Sequence, residues 1–207
     1  DTPFYRNAAN RYTVEFAKNL GNDFLTIREN GHQARFTLQN SQASQAAASA
    51  NSLTYPGALP GIDLRYTVGP DSVKGELVLW AEPSNRTIKY RTVLPAGWQA
   101  SLVFGDVEIR DGAATRIWSL PRPSIIQPIS GDPVFTDYTL ELIAGSTYEI
   151  GFTIPDSFLP PAERGYPVVI DPTIVLNRDA NTATNYVLEG RPETPHRDQN
   201  ILPVGHT

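Results

Sequence analysis

The chain has 207 residues, 40% of them hydrophobic and 10% aromatic, so it holds enough apolar material for one large domain or two small ones and is not a disordered segment. Its formal charge is −5 and it has no run of Lys and Arg, which argues against nucleic acid and anionic membrane as partners, because no basic field attracts phosphate. There is no Cys, no Met even at position 1, and no apolar run near the roughly 20 residues of a membrane span, so a disulfide framework and membrane insertion are excluded and a processed or excised extracellular bacterial chain is expected.

Asp1 to Asn10 is polar and reads as an extended lead-in. Tyr12, Val14 and Phe16 alternate with polar residues, the period of a half-buried strand. A second strand follows at Phe24 to Ile27. Asn30-Gly31 is a strong hairpin signal, and Ala34 to Leu38 returns from it. Gln39 to Ser52 is uncharged and rich in Ala, Gln and Ser, with no apolar stripe to anchor a helix, and is expected to be a solvated surface loop.

The central stretch, Leu53 to Trp80, predicts two strands and a tight turn. Ile62, Leu64, Tyr66 and Val68 alternate with Asp63, Arg65 and Thr67. Gly69-Pro70-Asp71-Ser72 supplies turn formers, and Val73 to Trp80 is the return strand. Pro56-Gly57 and Pro60-Gly61 punctuate the entry. Further strands are expected at Thr87 to Val93, Trp98 to Phe104, Val107 to Ile109, Arg116 to Leu120, Asp137 to Ile143, Tyr148 to Ile154 and Tyr166 to Ile170. The Pro-rich 121–128 stretch should be an edge or crossing segment, because Pro cannot donate to a sheet ladder. With 15 Gly, 18 Pro and no convincing helical segment, the chain is predicted to be all-β: an antiparallel β-sandwich or stacked sheets without substantial helix. Residues 1–172 are expected to form this sandwich-like domain. Residues 173–207 read as a polar, extended tail opening a second β module.

Two phrases resemble bacterial wall-associated and RHS-repeat surface proteins. The first is carried by Tyr55, Pro60, Gly61, Asp63, Leu64, Tyr66 and Val68, then Val73, Lys74, Val78 and Leu79, with Gly75 where the resembled pattern has Glu. The second, YPVVIDPTI, is carried by Tyr166, Pro167, Asp171 and Pro172. In such proteins this region precedes a DNRLRE-type module, and the tail from Arg178 to Gly205 resembles the opening of one. The resemblance implies an extracellular, cell-surface protein of several modules and implies no catalytic residues here.

The residues themselves offer little chemistry. His32 sits beside a hairpin turn, and His196 and His206 lie in the polar tail, with neither triad nor zinc-ligand spacing. Asp63 with Glu76, and Asp106 with Glu108, are carboxylate pairs on predicted strands that could in principle serve glycoside hydrolysis, although such pairs are commonplace on β-surfaces. No cofactor is expected. Calcium is the one metal considered, through Asp132, Asp137, Asp179, Asn181 and Asn185, without an EF-hand loop. Trp80, Trp98 and Trp118 lie in predicted strands, where core burial is the ordinary reading and a sugar platform the functional one. Asn85-Arg86-Thr87 is an N-x-T sequon.

The expectation at this point is a non-enzymatic structural or adhesion module of a secreted bacterial surface protein. It would act as a spacer or assembly unit, with strand-exchanging filaments as one form. The alternative is a carbohydrate-binding module. The expected partners are neighbouring modules, identical subunits or polysaccharide, and neither nucleic acid nor an inserted membrane.

Overall fold

The computed structural model describes residues 4–7, 10–126, 132–159 and 165–176, all within one compact unit of residues 1–177. In chain order its strands are β1 (Phe4–Arg6), β2 (Thr13–Ala17), β3 (Leu25–Glu29), β4 (His32–Leu38), β5 (Ala47–Ser49), β6 (Ser52–Leu59), β7 (Ile62–Val68), β8 (Ser72–Leu79) and β9 (Thr87–Val93). They continue as β10 (Gln99–Val103), β11 (Asp106–Arg110), β12 (Arg116–Leu120), β13 (Ser124–Ile126), β14 (Pro133–Phe135), β15 (Thr139–Ala144), β16 (Thr147–Thr153), β17 (Val168–Ile170) and β18 (Ile174–Leu176). Among the described residues the helical content is one 3-10 turn, Asp156–Phe158. The all-β prediction therefore holds.

The strands pair antiparallel in two large sheets. The first runs β1-β2-β3-β4-β9-β16-β15. The second runs β10-β11-β12-β18-β8-β7-β6-β5, with β17 also on β8, and β13 and β14 form a separate pair. Local sequence explains the hairpins. Asn30 and Gly31 both take positive φ, 49° and 78°, the backbone a two-residue turn needs to match strand twist. Alternation explains the faces: Ile62, Leu64 and Tyr66 of β7 are buried, with Asp63 and Arg65 between them half-buried on the other face.

The two sheets share one apolar core. Phe16 of β2 meets Tyr66 of β7 at 5.1 Å between ring centroids, and Phe24 meets Tyr55 edge to face at 5.8 Å. Each such aromatic removes a large apolar area from water, and the tilted geometries suit ring quadrupoles. Burial pushes the hydroxyl pKa of Tyr66, Tyr90 and Tyr138 up, so these groups stay neutral inside the core.

Three parts differ from expectation. The Gln39 to Ser52 segment is not wholly a solvated loop: Ala46 is buried, Asn19 bridges Gln45, and Ala47–Ser49 is an edge strand on β6. Pro56 and Gly57 do not precede a strand but lie inside β6, where the register to β7 shifts between Tyr55 and Leu59. Ile174–Leu176 falls past residue 172, yet it is β18, paired with both β8 and β12. The expected second module lies outside the described residues, as do His196, His206, Asp179, Asn181 and Asn185.

Candidate functional site

The two motif phrases come together on the second sheet. Tyr55, Leu64, Tyr66 and Val73 face the core, and the Tyr55 hydroxyl donates to the Ala17 carbonyl at 2.6 Å. Lys74 and Arg65 lie on the outer face, both against Glu76, at 3.2 and 3.3 Å. Gly75 sits between β7 and the second phrase: a Cβ there would meet the Pro172 carbonyl oxygen at 3.1 Å and the Tyr66 ring at 3.3 Å. The bare backbone of Gly75 is what lets Asp171-Pro172 lie against the sheet. Asp171 itself is a node. Its backbone N–H donates to the Ser124 carbonyl at 2.9 Å, tying β13 to the sheet, and its carboxylate accepts from the Thr173 hydroxyl. Burial raises the Asp171 pKa, against the lowering effects of Thr173 and Lys74. Tyr166-Pro167, a cis peptide bond, leads into β17.

The first phrase organises a surface. Asp63 leaves the outer face of β7 and uses both carboxylate oxygens. Oδ1 accepts from the Gly57 backbone N–H at 2.7 Å, and Oδ2 accepts from the Trp80 indole Nε1–H at 2.8 Å. The Gly61 carbonyl accepts from the Trp80 backbone N–H at 2.9 Å. Gly57 and Gly61 both have positive φ, 58° and 75°, so the Pro-Gly pairs of the phrase shape the turns that aim these groups. Trp80 is thus fixed by backbone and side chain, yet remains 55% exposed.

The other two Trp differ. Trp118 is fully buried and Trp98 nearly so; their rings meet edge to face at 5.2 Å. The Trp118 Nε1–H donates to Glu29 at 2.9 Å, and the Trp98 ring meets the His32 ring in a tilted contact at 5.1 Å between centroids. Neither offers a face to a sugar. Their burial against the β3–β4 hairpin corrects the platform reading for these two and leaves it open in shape only at Trp80.

The acids of both carboxylate pairs are engaged by other groups. Across β7 and β8, Asp63 faces Val78 and Glu76 faces Arg65, so the two acids are not opposed. Glu108 is buried between Arg110 and Arg116, and Asp106 accepts from the Arg122 backbone N–H. Among the described residues no three His, Cys, Asp or Glu converge as metal ligands. Asn85 makes a local turn, its side-chain oxygen accepting from the Thr87 N–H at 2.9 Å. Two arrangements have no local sequence signal: the Glu29–His32–Trp98–Trp118 cluster, built from strands of both sheets, and an open polar cleft of about 520 Å³ lined by Asn22, Asp23, Thr37, Asn40 and Arg91.

No known family model matches the chain, and no solved structure does. Curated relatives do. It is 26% identical over 202 residues to a tRNA(Glu)-specific nuclease WapA of Bacillus subtilis subsp. natto. It is 25% identical over 202 residues to a tRNA nuclease WapA of Bacillus subtilis and to a tRNA3(Ser)-specific nuclease WapA of Bacillus spizizenii. Each match covers 87% of this chain and 8% of the relative's length. These relatives overturn the reading of a non-enzymatic structural or adhesion module, its carbohydrate-binding alternative, and the exclusion of nucleic acid among the partners. The exclusion rested on a net charge of −5. That charge is counted over a chain that spans 8% of each relative's length, and the field of so short a stretch does not set what those relatives attract.

Proposed function

We propose that this chain works as part of a nuclease that acts on tRNA. The observation that carries the reading is the match itself: three relatives named for tRNA cleavage align with 87% of the chain. The fold is compatible with it. The region that gathers the motif residues presents an immobilised, exposed indole, the kind of surface on which unpaired parts of an RNA stack. The resemblance to RHS-repeat surface proteins and an extracellular placement belong to the same proposal, supported by the two phrases around Asp63 and Asp171.

The test is cleavage by the full-length product of the gene. Incubated with unfractionated tRNA, with and without magnesium, it should produce discrete tRNA fragments on a denaturing gel. A full-length product that leaves tRNA intact in both conditions overturns the reading.

A further inference from the structure

Two edge strands meet where the core is left open. β10 ends the second sheet, β15 ends the first, and the two lie against each other. The register says which of their side chains face inward. Ala100 and Leu102 of β10 stand opposite the buried Ile109 and Val107, and Leu140 and Leu142 of β15 stand opposite the buried Ile150 and Tyr148. Residues directly opposite share a face of a sheet, so all four are on core-facing sides. Ala100 and Leu140 pack against the core, yet Leu102 is 47% exposed and Leu142 59%. Ile143, 48% exposed, and Phe104, 95% exposed, follow within two residues of them. The turn that carries Phe104 is held in place. The Tyr138 N–H donates to the Gly105 carbonyl at 3.1 Å, and a side chain at Gly105 would collide with Asp137 and Arg122.

The backbone of β10 is open as well. Its hairpin closes with a two-residue turn after Val103, so Val103, Ser101 and Gln99 turn their backbone groups to β11, and Ala100 and Leu102 turn theirs to the free side. Among the described residues, nothing pairs with that side. The strand, QASLV, has neither a charge nor a Pro, the devices that keep sheet edges unpaired.

We propose that β10 is the interface of a symmetric dimer of this chain, pairing antiparallel with β10 of a second copy about a twofold axis at Ser101. In that register Ala100 faces Leu102 of the second copy, and Gln99 faces Val103. The Ala100–Leu102 pairs bring the free N–H and C=O groups together, so each pair exchanges both backbone bonds. Both residues are on the core-facing side, so the apolar face of the second sheet runs on from one copy to the other and Leu102 is covered. A strand without charge meets its own copy without repulsion, and a twofold contact uses both free edges and closes. The area suffices. With an exposed aromatic at about 150–250 Å², Phe104, Leu102, Leu142 and Ile143 together offer roughly 400–500 Å² per copy. Two copies thus bring roughly 900 Å² of apolar surface before backbone and polar rim are added, against the roughly 1,000 Å² that a specific interface clears. This inference stands apart from the tRNA reading, and neither needs the other.

The experiment is light scattering of the 207-residue chain over a concentration series, with two variants. The mass should rise from 22.8 kDa toward twice that value and stop there. Leu102→Lys places a charge at the paired edge in both copies and should raise the dimer dissociation constant by at least about tenfold, with an unchanged melting temperature of the monomer. The chain has no Cys, so a single introduced one reports the register alone. Ser101→Cys should form a disulfide-linked dimer under mild oxidation, because residues facing each other on the axis have Cα atoms about 4.5 Å apart, within disulfide reach. Val103→Cys should not, because its two copies would lie about 13 Å apart along the strands. A monomer at every concentration overturns the proposal and assigns the open edge to some other occupant. Growth beyond two chains, a dimer that Leu102→Lys leaves intact, or crosslinking of Val103→Cys as readily as Ser101→Cys would each overturn it too.

Discussion

At Gly75 the resembled phrase carries Glu, and the contacts show what the substitution means. Any side chain there runs into the Pro172 carbonyl and the Tyr66 ring at 3.1–3.3 Å. Gly75→Val should destabilise the fold by about 1–3 kcal/mol through overpacking, read as a lowered urea midpoint with unchanged slope. Two carboxylates behave oppositely with pH. Burial pushes Glu15 up, but hydrogen bonds and charge from Arg6 and Arg28 outweigh it and hold its pKa below the ordinary value of 4.5. The stability Glu15 contributes is present above that ordinary value and is lost as pH falls through the lowered one. Asp171 is raised, so its contribution is present in acid and is lost as pH rises through its folded value. Urea midpoints between pH 3 and 7 should show Glu15→Gln losing stability mainly at the upper end. Asp171→Asn should be tolerated best there, because the amide still accepts from Thr173 and removes a desolvated charge.

Among the elements, β10 and β11 show a local rule broken. Val103 faces Asp106, leaving a two-residue turn of Phe104 and Gly105, both with positive φ, 51° and 88°. Asn-Gly is the favoured pair for this turn, and Phe at the first position pays a steric cost for a left-handed backbone. Nothing buried offsets it, since Phe104 is 95% exposed. Phe104→Asn should raise stability by about 0.5–1 kcal/mol in urea unfolding. Light scattering of concentrated samples should also fall, because β10 and β15 end their sheets and expose Leu102, Leu142 and Ile143 nearby. The β3–β4 and β7–β8 hairpins were legible, because alternation and turn chemistry are local. Asn30-Gly31 and the run from Ile62 to Val68 needed nothing beyond their own neighbours. The three-residue strands β5 and β18 were not legible: so short a run has no period, and only distant partners make it a strand.

For the molecule as a whole, tertiary placement decided what the sequence left level. Trp80, Trp98 and Trp118 sit in similar apolar settings along the chain, yet two close the core against the β3–β4 hairpin and one lies outside on Asp63. Asp63 was visible as part of a phrase, but its bond to Trp80, 17 positions away, was not. The convergence of Asp171-Pro172 on Gly75 belongs to the same class of fact. The partner question was beyond the chain's own composition, because charge was counted over a stretch much shorter than the proteins it matches.

The position of β18 between β8 and β12 has a consequence for biosynthesis. On the ribosome, β5 to β8 emerge early and β10 to β12 later, yet the strand that joins them into one sheet comes last, at Ile174–Leu176. At synthesis rates of about 5–20 residues per second, roughly 5–19 s separate the end of β8 from the start of β18. Throughout that interval the free edge of β8 is open, since β17, which also covers it, comes only six residues before β18. The nascent chain therefore cannot close its second sheet until synthesis has passed Leu176, and a chaperone that holds extended strands would find β8 accessible until then.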